Sequence, residues 1–114
     1  MVAGYTFHDY LSLALHRTAV GLMVEDPALV GTAQATLERW IERGDPRTRV
    51  LWEKWRSILA ARDWAQALAE TEEGQQLRSA SPVPTVLSET TRLKVLALMQ
   101  AWRDAEVPVF REPP

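Results

Sequence analysis

The sequence predicts an all-α fold: a single-domain bundle of five or six helices with an extended, proline-containing C-terminal tail. Three observations predict it. Apolar residues recur at spacings of three and four along most of the chain, the period of a helix face. Two Asp-Pro pairs, Asp26-Pro27 and Asp45-Pro46, each open such a stretch, as helix starts do. No segment alternates apolar and polar residues long enough to argue for a sheet.

The elements follow in order. Residues 1–7 read as an irregular lead with three aromatics close by, Tyr5, Phe7 and Tyr10. A first helix starts near His8 or Asp9, with Leu11, Leu15, Thr18, Ala19 and Leu22 as its stripe. Gly21 weakens it by about 1 kcal/mol relative to alanine and offers a small surface for a neighbouring helix. Asp26 caps a second helix, Pro27 fits its first position, and Leu29, Ala33, Leu37, Trp40 and Ile41 form its buried face. Gly44 stops it in the left-handed position, and Asp45-Pro46 starts a third helix at once. Trp52 and Trp55 cannot both face the centre of that helix's stripe with Leu51 and Ile58, so one sits at the core edge. Asp63-Trp64 opens a short segment with Ala67 and Leu68 inward. Leu77 pins another short helix over 72–79. Ser81-Pro82-Val83-Pro84 is an extended or turn connection, since residues before proline avoid the helical region. Ser88 caps the last helix, whose apolar side holds Leu93, Val95, Leu96, Met99 and Trp102. Residues 107–114, with three prolines, form the tail.

Composition limits function. The 114 residues fit one domain, and 46% hydrophobic content can build its core without disulfide or metal support. Cysteine is absent, which excludes thiol catalysis and Cys-ligated zinc and fits a reducing, cytoplasmic setting. No apolar run approaches the roughly 20 residues that cross a bilayer. Residues 1–9 lack the order of a signal peptide. Basic residues number 13 against 15 acidic, without the basic excess usual in dedicated nucleic-acid binders. His8 and His16 are too far apart for a helical metal pair, which uses a spacing of about three or four. No metal and no cofactor is expected. The glycines are scattered and no G-x-S-x-G is present, so no enzyme is expected. Glu38 with Glu42, and Glu72 with Glu73, read as solvated faces, Glu38 pairing only loosely with Arg39 or Arg43.

The candidate functional residues are those of a protein-binding surface. Arg39, Arg43, Arg47, Arg49 and Arg56 cluster with Trp52 around the Gly44 turn, and tryptophan and arginine dominate interface hot spots. Tyr5 and Phe7 in the lead, and Phe110 and Arg111 in the tail, complete the set. The alternative is a DNA-binding regulator using the Arg39–Arg56 junction as a helix-turn-helix, against which Glu38, Glu42, Asp45 and Glu53 cancel much of the field. Arg78, Ser79 and Ser81 read as helix caps.

The order of short motifs resembles a group of short bacterial helical proteins, antitoxins of toxin–antitoxin pairs. The resembling pieces are Leu15-His16-Arg17, Asp26-Pro27-Ala28-Leu29, Ala35-Thr36-Leu37-Glu38-Arg39-Trp40, Trp52-Glu53-Lys54-Trp55, and Leu77-Arg78-Ser79-Ala80-Ser81-Pro82 followed by Val86-Leu87-Ser88. The resemblance covers about residues 15–93. Where the group has phenylalanine-alanine-glycine after serine-proline, this chain has Val83-Pro84-Thr85. The resemblance implies a cytoplasmic protein that neutralises a cognate toxin by direct contact, an extended end occluding the partner's active site.

Overall fold

The computed structural model describes residues 4–105. Six α-helices and one 3₁₀ helix, with no strand, make up the described residues: α1 Phe7–Glu25, α2 Ala28–Arg43, α3 Arg49–Ala61, α4 Trp64–Ala67, α5 Glu72–Arg78, the 3₁₀ helix Val83–Val86, and α6 Glu89–Asp104. The all-α expectation holds. The tail expected at 107–114 lies outside the described residues.

Each start has a local cause. Thr6 Oγ1 accepts from Asp9 N at 3.2 Å, and Asp9 Oδ2 accepts from Thr6 N at 2.9 Å. This capping box starts α1 at Phe7, so Phe7 belongs to the helix and not to the lead. Asp26 Oδ1 accepts from Ala28 N at 3.2 Å and bridges α1 to α2. Ser88 Oγ accepts from Thr91 N at 3.1 Å, capping α6 as its position foretold.

The third helix starts later than Asp45-Pro46 indicates. The Asp45 carboxylate accepts from Arg47 N at 3.1 Å and from the Thr48 hydroxyl at 2.8 Å. Those bonds close a turn over 45–48, and regular helix begins at Arg49. Residues 81–84 take the turn alternative: Ser81 Oγ accepts from Val83 N at 3.0 Å, the 3₁₀ helix starts at Val83, and Pro82 and Val83 are buried.

Two apolar clusters share α1. The larger packs Met23, Leu37, Trp55, Leu59 and Val83 between α1, α2, α3 and the 3₁₀ helix. The smaller joins Tyr10 and Ala14 to Val95 and Met99 of α6, and the partly buried Leu15 touches both. Cover from two sides widens the buried face of α1 to Tyr10, Leu13, His16, Val20 and Met23. Leu22, expected inside, is 36% exposed. Gly21 is exposed and a Cβ there would meet nothing within 4 Å, so it permits no close approach. Leu93, also expected inside, is 55% exposed, because α6 packs chiefly on α1 and turns only Val95, Met99 and the half-buried Leu96 and Trp102 inward.

Candidate functional site

An open groove of about 410 Å³ lies between the α2–α3 junction and the segment after α5. The sequence builds it at the chain reversal. Gly44, at φ 73°, ends α2 in the left-handed region that favours glycine. Its amide donates to Trp40 O at 3.3 Å and Ile41 O at 3.1 Å. The short turn sets the last coil of α2 beside the first coil of α3. Trp40 and Trp52 therefore meet, ring centroids 6.1 Å apart and planes tilted by 42°. Both are half-buried and both line the groove.

Ser79, Ala80 and Ser81 form the opposite wall. Two buried anchors hold them. The Trp55 indole N–H donates to Leu77 O at 2.7 Å, joining α3 to α5. The Arg78 guanidinium donates to Ala67 O at 3.2 Å, Ala69 O at 2.9 Å and the Tyr5 hydroxyl at 2.9 Å. Arg78 is thus a cap on the end of α4, and burial draws its pKa below the ordinary arginine value.

Polar groups of the lining also bond within the protein. Asp45 serves Arg47 N and Thr48, as above. Ser79 Oγ donates to Gln76 O at 2.5 Å, and Ser81 Oγ serves Val83 N. The guanidinium of Arg43, which lines the groove, makes no hydrogen bond or ion pair among the described residues, and the same holds for Arg47 beside it. The groove is accordingly lined by two tryptophans, a carboxylate and an unpaired cation. Among the described residues no group of three or more His, Cys, Asp or Glu is placed to hold a metal ion.

The expected partner residues do not form one surface. Arg43 and Trp52 line the groove, with Arg47 in its turn. Arg49 and Arg56 are neutralised: Arg49 Nε lies 3.1 Å from Glu53 Oε1, and Arg56 grips both Glu38 oxygens at 2.8 Å. The Arg56 hydrogen bond holds Glu38 below the usual carboxylate range, so Glu38 is fixed from α3 and is not loosely paired with Arg39 or Arg43. Arg39 donates to Thr36 Oγ1 at 3.0 Å. Tyr5 and Phe7 do not line the groove. The Tyr5 hydroxyl bonds Thr71 O and Arg78, and its ring meets Tyr10 edge-on at 5.4 Å. Phe7 lies under Arg103, 4.4 Å from ring centroid to guanidinium carbon. Phe110 and Arg111 fall outside the described residues.

Sequence reasoning assigned Trp40 to the core and missed it as a groove wall. Its signal was its place one coil before Gly44, where a tight reversal brings junction residues together. His16 is buried and stacked on Trp55, ring centroids 5.9 Å apart, a contact that no local signal announces.

Comparison of the chain with family models, curated proteins and solved structures gives no match. No helix among the described residues is long and apolar enough to cross a membrane.

Proposed function

We propose that this chain is a non-catalytic protein-binding module, and that the groove between Trp40, Trp52 and Arg43 is where its partner docks. The observation that carries this reading is the tilted tryptophan pair on a groove wall, with an arginine beside it that has no partner among the described residues. Tryptophan and arginine supply most interface hot spots, because flat apolar area and a charge gain most when water leaves. The form that best combines this groove with the motif order at residues 15–93 is that of an antitoxin in the cytoplasm: the chain binds a cognate toxin and blocks it by contact.

The test is co-expression with the product of the adjacent gene. Co-elution of the two proteins is expected, with the complex weakened at least tenfold by Arg43→Glu, a loss of about 1.4 kcal/mol. A chain that elutes alone and monomeric contradicts the proposal. The DNA-binding reading has less support, since Arg49 and Arg56 spend their charge on Glu53 and Glu38. It requires a salt-sensitive gel shift at low ionic strength.

A further inference from the structure

We infer that His16 is an acid-operated latch on the wall formed by Ser79, Ala80 and Ser81: a proton taken up at Nε2 releases α5 and that wall from α1 and α3, while the other helices stay packed. This goes beyond the protein-binding reading, and its test needs no partner.

Both anchors of the wall meet α1 at this residue. Trp55, whose indole N–H donates to Leu77 O at 2.7 Å, stacks on the His16 ring with planes 26° from parallel. Arg78, the other anchor, places its charge near the ring. Both polar side chains are buried, His16 with 1% and Arg78 with 3% of its surface exposed. The His16 Nδ1–H is taken by Ser12 O at 2.7 Å, so the bare Nε2 is the atom that accepts a proton. Neither Nε2 nor Arg78 Nε has a hydrogen-bond partner among the described residues.

A proton at Nε2 therefore creates a buried donor without an acceptor, and a second buried cation beside the first. Both are costly. The surroundings give no relief. The charged side chains of α2, α3 and α6 are exposed. Around Arg78, the Tyr5 hydroxyl is bonded to Thr71 O and to Arg78 itself, and the half-exposed Glu70 is paired with Arg17 of α1.

The element that yields is α5. It has seven residues and buries Gly74, Leu77 and Arg78, whereas α3 fixes Trp55, Ile58 and Leu59 in the larger core. It also carries Arg78, so the repulsion acts across the contact between α1 and α5. Freeing α5 lets water reach Nε2 and the guanidinium, and residues 79–81 leave the groove with it. Burial first, and the Arg78 charge with it, hold the pKa of the enclosed ring at about 4, against 6.5 for a solvated one. The open form binds the extra proton between those values. It gains on the closed form by up to about a decade per pH unit as pH falls, roughly 300-fold in all.

The test is native-state hydrogen exchange of the full chain from pH 7 to 4, with each rate divided by the intrinsic amide rate to give an opening constant. The Gln75, Ser79 and Ala80 amides bond Thr71 O, Gln75 O and Leu77 O. They are expected to open more readily than the central amides of α2, and their opening constants to rise roughly 100- to 300-fold over that range. His16→Phe, which keeps a ring against Trp55, is expected to abolish the rise. Glu70→Gln, which removes the ion pair from α1 to the segment before α5, is expected to keep it. Equal opening constants in α5 and α2 would mean unfolding of the whole molecule and would overturn the inference. So would an α5 whose opening ignores pH, or a rise that survives His16→Phe and disappears in Glu70→Gln. The natural chain supplies a check that needs no variant: its His16 ring carbon signals are expected to titrate near pH 4, and titration near 6.5 would show a solvated ring and sink the latch.

Discussion

The His16 ring lies inside the larger core, where Nδ1–H donates to Ser12 O at 2.7 Å and Nε2 has no partner among the described residues. Burial is the main cause that lowers its pKa from 6.5 to about 4, with the nearby Arg78 charge adding to it and the Ser12 bond opposing it. A folded-state value below the unfolded one means that the unfolded chain binds the extra proton between those values. Stability from this residue is therefore complete above pH 6.5 and is lost as pH falls toward 4. The loss is about 3 kcal/mol at the acid end. Urea midpoints measured across that range should fall steeply for the natural chain and stay flatter for His16→Phe, which keeps the stack on Trp55. Parallel slopes would show that His16 does not carry the response. Arg78 is the second buried polar residue, and two of its three bonds satisfy the Ala67 and Ala69 carbonyls at and just after the end of α4. Replacing it with leucine should cost about 2–4 kcal/mol in chemical denaturation, and a variant of unchanged midpoint would refute the cap. The capping function of Arg78 was legible in the sequence, and the burial of His16 was not. A histidine on a helix reads alike whether its face meets water or a tryptophan from a distant helix.

Gly74 shows how closely α4 and α5 meet. A Cβ there would fall on the Ala69 carbonyl and crowd Arg78 Nη1 at 3.2 Å. Gly74→Ala is expected to destabilise by roughly 1–3 kcal/mol, as overpacking does, although alanine favours helix; a midpoint at or above that of the natural chain would contradict the contact. Ser88→Ala should cost about 1 kcal/mol by removing the α6 cap, and hydrogen exchange should show faster opening in α6 than in α3, since α6 leans chiefly on α1. Uniform exchange across the helices would argue against that edge position. Caps and proline positions were readable because they act within four residues: Asp63 accepts from Gln66 N and Ser88 from Thr91 N, as their spacing indicates. The Asp45 turn shows the limit. The same carboxylate that can start a helix bonded the Thr48 hydroxyl instead, and α3 began three residues beyond Pro46.

For the whole molecule, the helical class and the succession of helices were legible in apolar spacing, while the grouping of residues in space was not. Arg39, Arg43, Arg47, Arg49 and Arg56 look alike in sequence. Only the crossing of α2 and α3 pairs Arg56 with Glu38, and only that crossing sets Trp40 beside Trp52 with Arg43 in the lining. Leu93 and Leu98, both more than half exposed on α6, line separate clefts along α1, and a partner docking at either one instead would leave the groove open to solvent. Hydroxyl-radical footprinting of the chain with and without its co-expressed partner separates these surfaces. Docking in the groove predicts strong protection of Trp40 and Trp52 with unchanged labelling of Leu93 and Leu98. Protection of α6 with the two groove tryptophans still freely oxidised would contradict it.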